Sequence, residues 1–229
     1  SSILLLILAS AVAYVKSLGD DRRWPPGEFN LPHAVVLDRE GRVYVADREN
    51  ARIQVFSPEG SFLREWGSYC DMETGSGCAD PDGNGPLLAG DGQFKEPWGI
   101  TVDGDANGGA IRVYVADTWN HRVQVFDGDG AFVTKWGRLG QLSSASGGED
   151  LFYGPRDLVV DNQGRLFVSD TGNKRIVVFN SDGTYLAQWG GGGLTAGSFE
   201  EPVGLALDSD GDLYVADTWN RRVQFFGPG

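Results

Sequence analysis

One sixteen-residue phrase occurs four times in this chain, and that recurrence limits the fold more than any single residue does. The copies are GRVYVADRENARIQVF (41–56), IRVYVADTWNHRVQVF (111–126), GRLFVSDTGNKRIVVF (164–179) and GDLYVADTWNRRVQFF (211–226). Alternating Val43, Tyr44 and Val45, a polar Asp47-Arg48-Glu49-Asn50, then Ile53 to Phe56 read as two short strands joined by a turn. Upstream of each copy lies Pro-x-x-apolar-x-apolar-Asp: LPHAVVLD (31–38), EPWGITVD (96–103), GPRDLVVD (154–161) and EPVGLALD (201–208). Downstream of the first three lies Gly-x-aromatic leading to Trp-Gly: GSFLREWG (60–67), GAFVTKWG (130–137) and GTYLAQWG (183–190).

Each unit thus supplies four short strands. A small sheet of this kind cannot bury both faces alone, so the copies must stack face to face. Radial stacking protects the sheet edges, whereas a solenoid uses fewer strands per repeat. The expected fold is an all-β propeller of four repeats, at about 27–67, 92–137, 152–190 and 199–229, within a domain over 14–229. The turn pattern Asp-x-x-Asn-x-Arg-apolar-Gln resembles the NHL repeat family. That resemblance implies a β-propeller, most often six-bladed, so the four repeats are either a closed four-blade ring or part of a larger one. Equivalent aspartates Asp47, Asp117, Asp170 and Asp217 are 70, 53 and 47 residues apart. A bare repeat needs roughly 40, so 68–95 and 138–153 are insertions.

The net charge of −13 opposes binding to phosphate backbones, which needs clustered Lys and Arg, so nucleic acid is excluded as a partner. The two cysteines, Cys70 and Cys78, share the first insertion, and paired use with no third cysteine points to a local disulfide in an oxidising compartment. ILLLILASAVA (3–13) is too short to span a bilayer comfortably and ends in small-x-small signatures, as in a truncated signal peptide. A second reading stands beside it: AYVKSLG (13–19) is similar to TYLAQWG (184–190) and could be a ring-closing fourth strand. The expected location is extracellular or the secretory-pathway lumen.

The segment 27–56 resembles a blade of peptidyl-α-hydroxyglycine α-amidating lyase, a carbon–nitrogen lyase that releases a peptide amide and glyoxylate. The resemblance implies a zinc held by three Pro-His histidines; here only His33, in Leu31-Pro32-His33, matches. The equivalent positions hold Trp98, Arg156 and Val203, and a packed His33 is the competing structural reading. Asp80, Asp82, Asn84 and Asp91, with Gly85, follow part of a calcium-loop pattern, against the alternative of an ordinary polar loop. The repeated aspartates, each followed by Arg52, Arg122, Arg175 or Arg222, read as turn and pairing residues rather than a catalytic ring. No Gly-x-Ser-x-Gly elbow is present. The leading expectation is a secreted scaffold that binds a protein or peptide through one face of the propeller. Its binding residues would be Arg48, Glu49, Trp119, Asn120, His121, Arg156 and Trp219, aromatic and arginine side chains being effective contact anchors. The lyase is the alternative, and a calcium-dependent propeller hydrolase ranks behind both.

Overall fold

Alternating apolar residues in short runs, broken every few positions by Gly, Asp or Asn, leave the backbone few options besides antiparallel hairpins. The computed structural model describes residues 25–80, 88, 90–104, 110–143 and 148–227. The first blade is the meander β1 (Pro32–Leu37), β2 (Val43–Asp47), β3 (Arg52–Phe56) and β4 (Phe62–Trp66). The second is β5 (Pro97–Asp103), β6 (Arg112–Asp117), β7 (Arg122–Asp127) and β8 (Phe132–Trp136). A two-residue parallel pair, β9 (Arg138–Leu139) and β10 (Leu151–Phe152), leads into the third. That blade comprises β11 (Pro155–Val160), β12 (Leu166–Asp170), β13 (Arg175–Phe179) and β14 (Tyr185–Gly190). The fourth comprises β15 (Pro202–Leu207), β16 (Leu213–Asp217) and β17 (Arg222–Phe226). The inner strands β1, β5, β11 and β15 touch in series, which is propeller packing rather than one continuous sandwich. The residues read as a signal segment or closing strand, 3–19, lie outside the described part of the chain.

The core lies between blades. Tyr44, Ile53 and Val55 of blade one face Phe94, Ile100, Val113, Val115 and Phe126 of blade two. The same arrangement joins blades two and three through Tyr114, Val123 and Val125 against Phe152, Leu158, Val168 and Phe179. Blades three and four meet through Phe167, Ile176 and Val178 against Phe199, Leu213, Val215 and Phe226. Each junction carries a tryptophan from the outer strand: Trp66 on Phe126 at 5.6 Å, Trp136 on Phe179 at 5.6 Å and Trp189 on Phe226 at 5.4 Å. The tryptophans also explain the Gly-x-aromatic motif. A Cβ at Gly130 or Gly183 would lie 2.6 Å from the ring of Trp66 or Trp136.

The repeated aspartates are structural in every blade. Asp117, fully buried, accepts from Lys95 N at 2.8 Å, Arg122 Nε at 2.7 Å, Asn120 Nδ2 at 3.0 Å and Gln124 Nε2 at 3.1 Å. Arg122 continues outward to the carbonyls of Gly90 and Gln93, so it fastens the incoming loop to the blade. Asp47 with Arg52, Asp170 with Arg175 and Asp217 with Arg222 repeat the pair at 2.8, 2.8 and 2.9 Å. A buried carboxylate is tolerated because each oxygen receives donors. After the asparagine, Ala51, His121, Lys174 and Arg221 take left-handed φ between 49° and 56°, turning the chain back into the next strand.

Candidate functional site: the inner-strand ends and the turn rim

The position after the repeated proline places His33, Trp98, Arg156 and Val203 on adjacent inner strands. Trp98 is the hub of the first three blades. His33 lies on it with ring centroids 4.2 Å apart, and the guanidinium carbons of Arg48 and Arg156 lie 4.9 and 4.5 Å from its ring centre. Arginine over an indole face is favourable, and more so where water is partly excluded. Arg48 Nε donates to Glu96 at 2.7 Å, Trp98 Nε1 donates to the same carboxylate at 3.4 Å, and Arg156 donates to Glu201 at 2.7 Å. The site therefore alternates cation and anion around one tryptophan. His33 is solvent-exposed at its edge but desolvated against the indole, and that desolvation, with Arg48 and Arg156 nearby, holds its imidazole below the usual value.

A zinc site does not fit these residues. His33 is the one imidazole of the set, and two guanidinium groups face the same ring. Among the described residues no three His, Cys, Asp or Glu side chains converge as a metal-binding group. In the expected calcium loop, Asp82 and Asn84 lie outside the described residues. Asp91 is buried and engaged by Lys135, by Arg122 at 3.7 Å and by the Leu88 amide at 2.9 Å.

The rim is built from the turns after β2, β6, β12 and β16. Trp219 is 70% exposed, Glu49 is exposed and Trp119 is half-buried. Asn120 and His121, expected among the contact residues, are instead only 7% exposed and serve the fold. Asn120 donates to Cys70 O at 2.9 Å and accepts from Met72 N at 2.9 Å, tying the Cys70–Cys78 disulfide loop to blade two. His121 Nδ1 accepts the Gly154 amide at 3.0 Å and its ring stacks on Tyr153 at 5.8 Å; burial lowers its pKa, in keeping with a neutral acceptor. Tyr153 in turn fills the space above Gly172, where a Cβ would come within 2.2 Å of its ring. That contact explains why the third turn reads Thr-Gly-Asn where the second and fourth read Thr-Trp-Asn.

Sequence reasoning noted Asp157 only as the residue after Arg156 and gave Ser169 no role. Asp157 stands where the other blades have Ala34, Gly99 and Gly204, and Ser169 where they have Ala46, Ala116 and Ala216. This paired departure from the repeat was the available signal. Asp157 accepts the Leu158 and Leu205 amides at 2.9 and 2.8 Å, while Ser169 donates to Val203 O at 2.8 Å, so together they latch blade three to blade four. Burial, opposed only in part by the Leu205 and Leu158 amides, pushes the Asp157 carboxyl up to about 6.

Comparison with known proteins agrees with this architecture. The NHL repeat model matches residues 29–56, 94–126, 152–179 and 199–226. Protein brain tumor of Drosophila melanogaster is 27% identical over 164 residues, covering 72% of this chain and 13% of the relative. Peptidyl-glycine alpha-amidating monooxygenase B of Xenopus laevis is 30% identical over 159 residues, covering 67% of this chain and 15% of the relative. The chain thus spans under a fifth of the length of either protein. The solved nidogen/laminin complex contains a chain that superposes with a TM-score of 0.56 at 20% identity, over 86% of this chain and 61% of that one. That likeness concerns the fold alone. With four matched repeats forming successive blades around a shared inner face, the chain belongs to the NHL repeat family.

Proposed function

We propose that this propeller is a secreted or lumenal binding module that holds a protein or peptide against its turn rim. The observation that carries the reading is the uncovered indole of Trp219, 70% exposed on the same set of turns as half-buried Trp119, with exposed Tyr153, just before β11, packed against the turn after β12. Large rigid aromatic side chains give up little conformational entropy on binding and dominate contact energetics where they meet a partner. Arg48 and Arg156, already fixed by Glu96, Glu201 and the Trp98 ring, supply oriented donors at the inner-strand ends. The disulfide supports an oxidising compartment, since such bonds persist where thiols are not kept reduced. The lyase reading needs imidazoles that Trp98, Arg156 and Val203 do not supply.

The test is selection of peptide ligands from a displayed library, followed by titration against the parent chain and Trp219→Ala. Both proteins are first matched by thermal unfolding. The expected result is saturable binding weakened at least about tenfold by the substitution, the scale of a contact anchor worth more than about 1.4 kcal/mol. Binders indifferent to Trp219, Trp119 and Arg156 substitutions would remove the rim as the ligand surface. For location, a tagged full open reading frame should appear in the culture medium with Cys70 and Cys78 oxidised; retention in the cytosol with free thiols refutes that half of the reading.

A further inference from the structure

We infer that the inner-strand ends receive the carboxylate of an acidic side chain, Asp or Glu, carried on the bound protein or peptide. The inference names the partner chemistry of the proposed binding face and rests on that reading for the partner's main chain only.

Its basis is a set of departures from the chain's own repeat. The residue after the repeated aspartate is Thr118, Thr171 and Thr218 in blades two to four. Thr118 and Thr171 donate to the proline carbonyl of the following blade, Pro155 at 2.8 Å and Pro202 at 2.6 Å. Blade one has Arg48 there instead, and its guanidinium reaches across to Trp98 and Glu96 of blade two. The residue after the repeated proline differs in all four blades, and in the third it is Arg156. Two arginines therefore stand where the repeat does not require them, stacked on a single indole.

Neither guanidinium is saturated. Arg156 is fixed to Glu201 through Nη1, and among the described residues its Nε and Nη2 have no acceptor. That edge is the fork that matches both oxygens of a carboxylate. The Arg156 side chain is 23% exposed, so the fork is recessed yet reachable, and partial exclusion of water strengthens a charged hydrogen bond there. Val203, at the same position on neighbouring β15, is partly exposed and offers apolar contact to a methylene stem. Arg48 adds a second positive charge on the same ring, with Nη2 occupied by Glu49 at 3.0 Å. Glu49 is 37% exposed and stands where the other blades have Trp119, Gly172 and Trp219. Its carboxylate is an internal stand-in that a partner's carboxylate displaces.

Charge sets the ligand class. Arg48 and Arg156 meet Glu49, Glu96 and Glu201, while His33, held below its usual value chiefly by desolvation, adds no charge near neutral pH. Once Glu49 yields, two cations balance two carboxylates, so a single negative charge is accepted and a phosphate dianion is penalised. The net charge of −13 repels a polyacidic segment, so the carboxylate belongs to an otherwise neutral or basic one. A side chain reaches the recessed fork while its backbone stays on the turns where Trp219 projects.

The probe is N-acetylglutamate amide, a side-chain carboxylate with both ends capped, titrated into the isotope-labelled full chain and followed by nuclear magnetic resonance. Saturable shifts of the Trp98 indole N–H and Arg156 Nε–H signals are expected, with none from N-acetylglutamine amide or inorganic phosphate. Arg156→Lys keeps the charge but loses the fork, and should weaken binding at least about fivefold. Glu49→Gln removes the internal competitor and should tighten it about two- to fivefold. Each variant is first matched to the parent by thermal unfolding. No saturable shift from the capped glutamate, or binding unchanged by Arg156→Lys, overturns the site. Binding of N-acetylglycine alone places a chain-terminal carboxylate there and overturns the side-chain assignment, and saturable phosphate binding overturns the single-charge class. Rim-selected peptides that need Trp219 but tolerate Glu→Gln and Asp→Asn within the peptide overturn this inference and leave the rim reading standing. Capped glutamate held by Arg156, with no peptide bound at the rim, supports the carboxylate site and removes the rim reading alone.

Discussion

Replacing Asp157 by asparagine should flatten the pH dependence of stability between about pH 4 and 7. The carboxyl accepts two amides, from its own strand and from blade four, with desolvation as the leading influence on it. Its folded pKa, about 6, lies above the ordinary 3.8. The protonated form is therefore the one the fold prefers. The group's favourable contribution is complete below about pH 4 and is lost as the pH rises through about 6. At about 1.36 kcal/mol per tenfold in proton activity, the swing is up to about 3 kcal/mol, reduced by the solvent contact that Asp157 retains. For a domain of this size that corresponds to about 6–12 °C in Tm. Asparagine keeps the shape and one acceptor but carries no charge. Its amide meets one of the two backbone N–H groups, costing about 1–3 kcal/mol at every pH. The assay is thermal unfolding of both proteins from pH 4 to 7, plotted as the difference in Tm. The parent should lose stability relative to Asp157→Asn as the pH rises. Curves that remain parallel would falsify the assignment of a raised, desolvated carboxyl to this latch.

Other outcomes follow from the same contacts. Gly172→Ala should destabilise by about 1–3 kcal/mol, since its Cβ would lie 2.2 Å from the Tyr153 ring and 2.4 Å from the Tyr153 carbonyl oxygen. Because the backbone contact persists, adding Tyr153→Gly should not restore the parent stability, read by denaturant unfolding. Arg122→Met leaves Asp117 buried without its ion pair and should cost about 3–5 kcal/mol; a loss under 1 kcal/mol would contradict the loop-fastening role. Reducing Cys70–Cys78 closes no long loop, so its removal should lower stability by at most about 2.5 kcal/mol, with the largest exchange changes near Met72 and Asn120. Metal analysis of purified protein should find the same sub-stoichiometric zinc in the parent and His33→Ala, and one equivalent lost on substitution would restore the lyase site.

The four-fold phrase determined the strands, their order within a blade and the role of Asp47, Asp117, Asp170 and Asp217, because these depend on local alternation and on turns a few residues long. The pairing of Cys70 with Cys78 was legible for the same reason, eight residues apart in one loop. What side chains meet across blades was not. Asn120 and His121 looked like rim contacts from the polarity of their turn, yet the disulfide loop and Tyr153, distant in sequence, fold over them. Trp98 as a hub for His33, Arg48 and Arg156 required three blades to be brought together. The raised carboxyl of Asp157 likewise arises where blades three and four exclude water. Repetition encodes the unit, but desolvation and contact between units depend on curvature of the assembled propeller, which no single repeat contains.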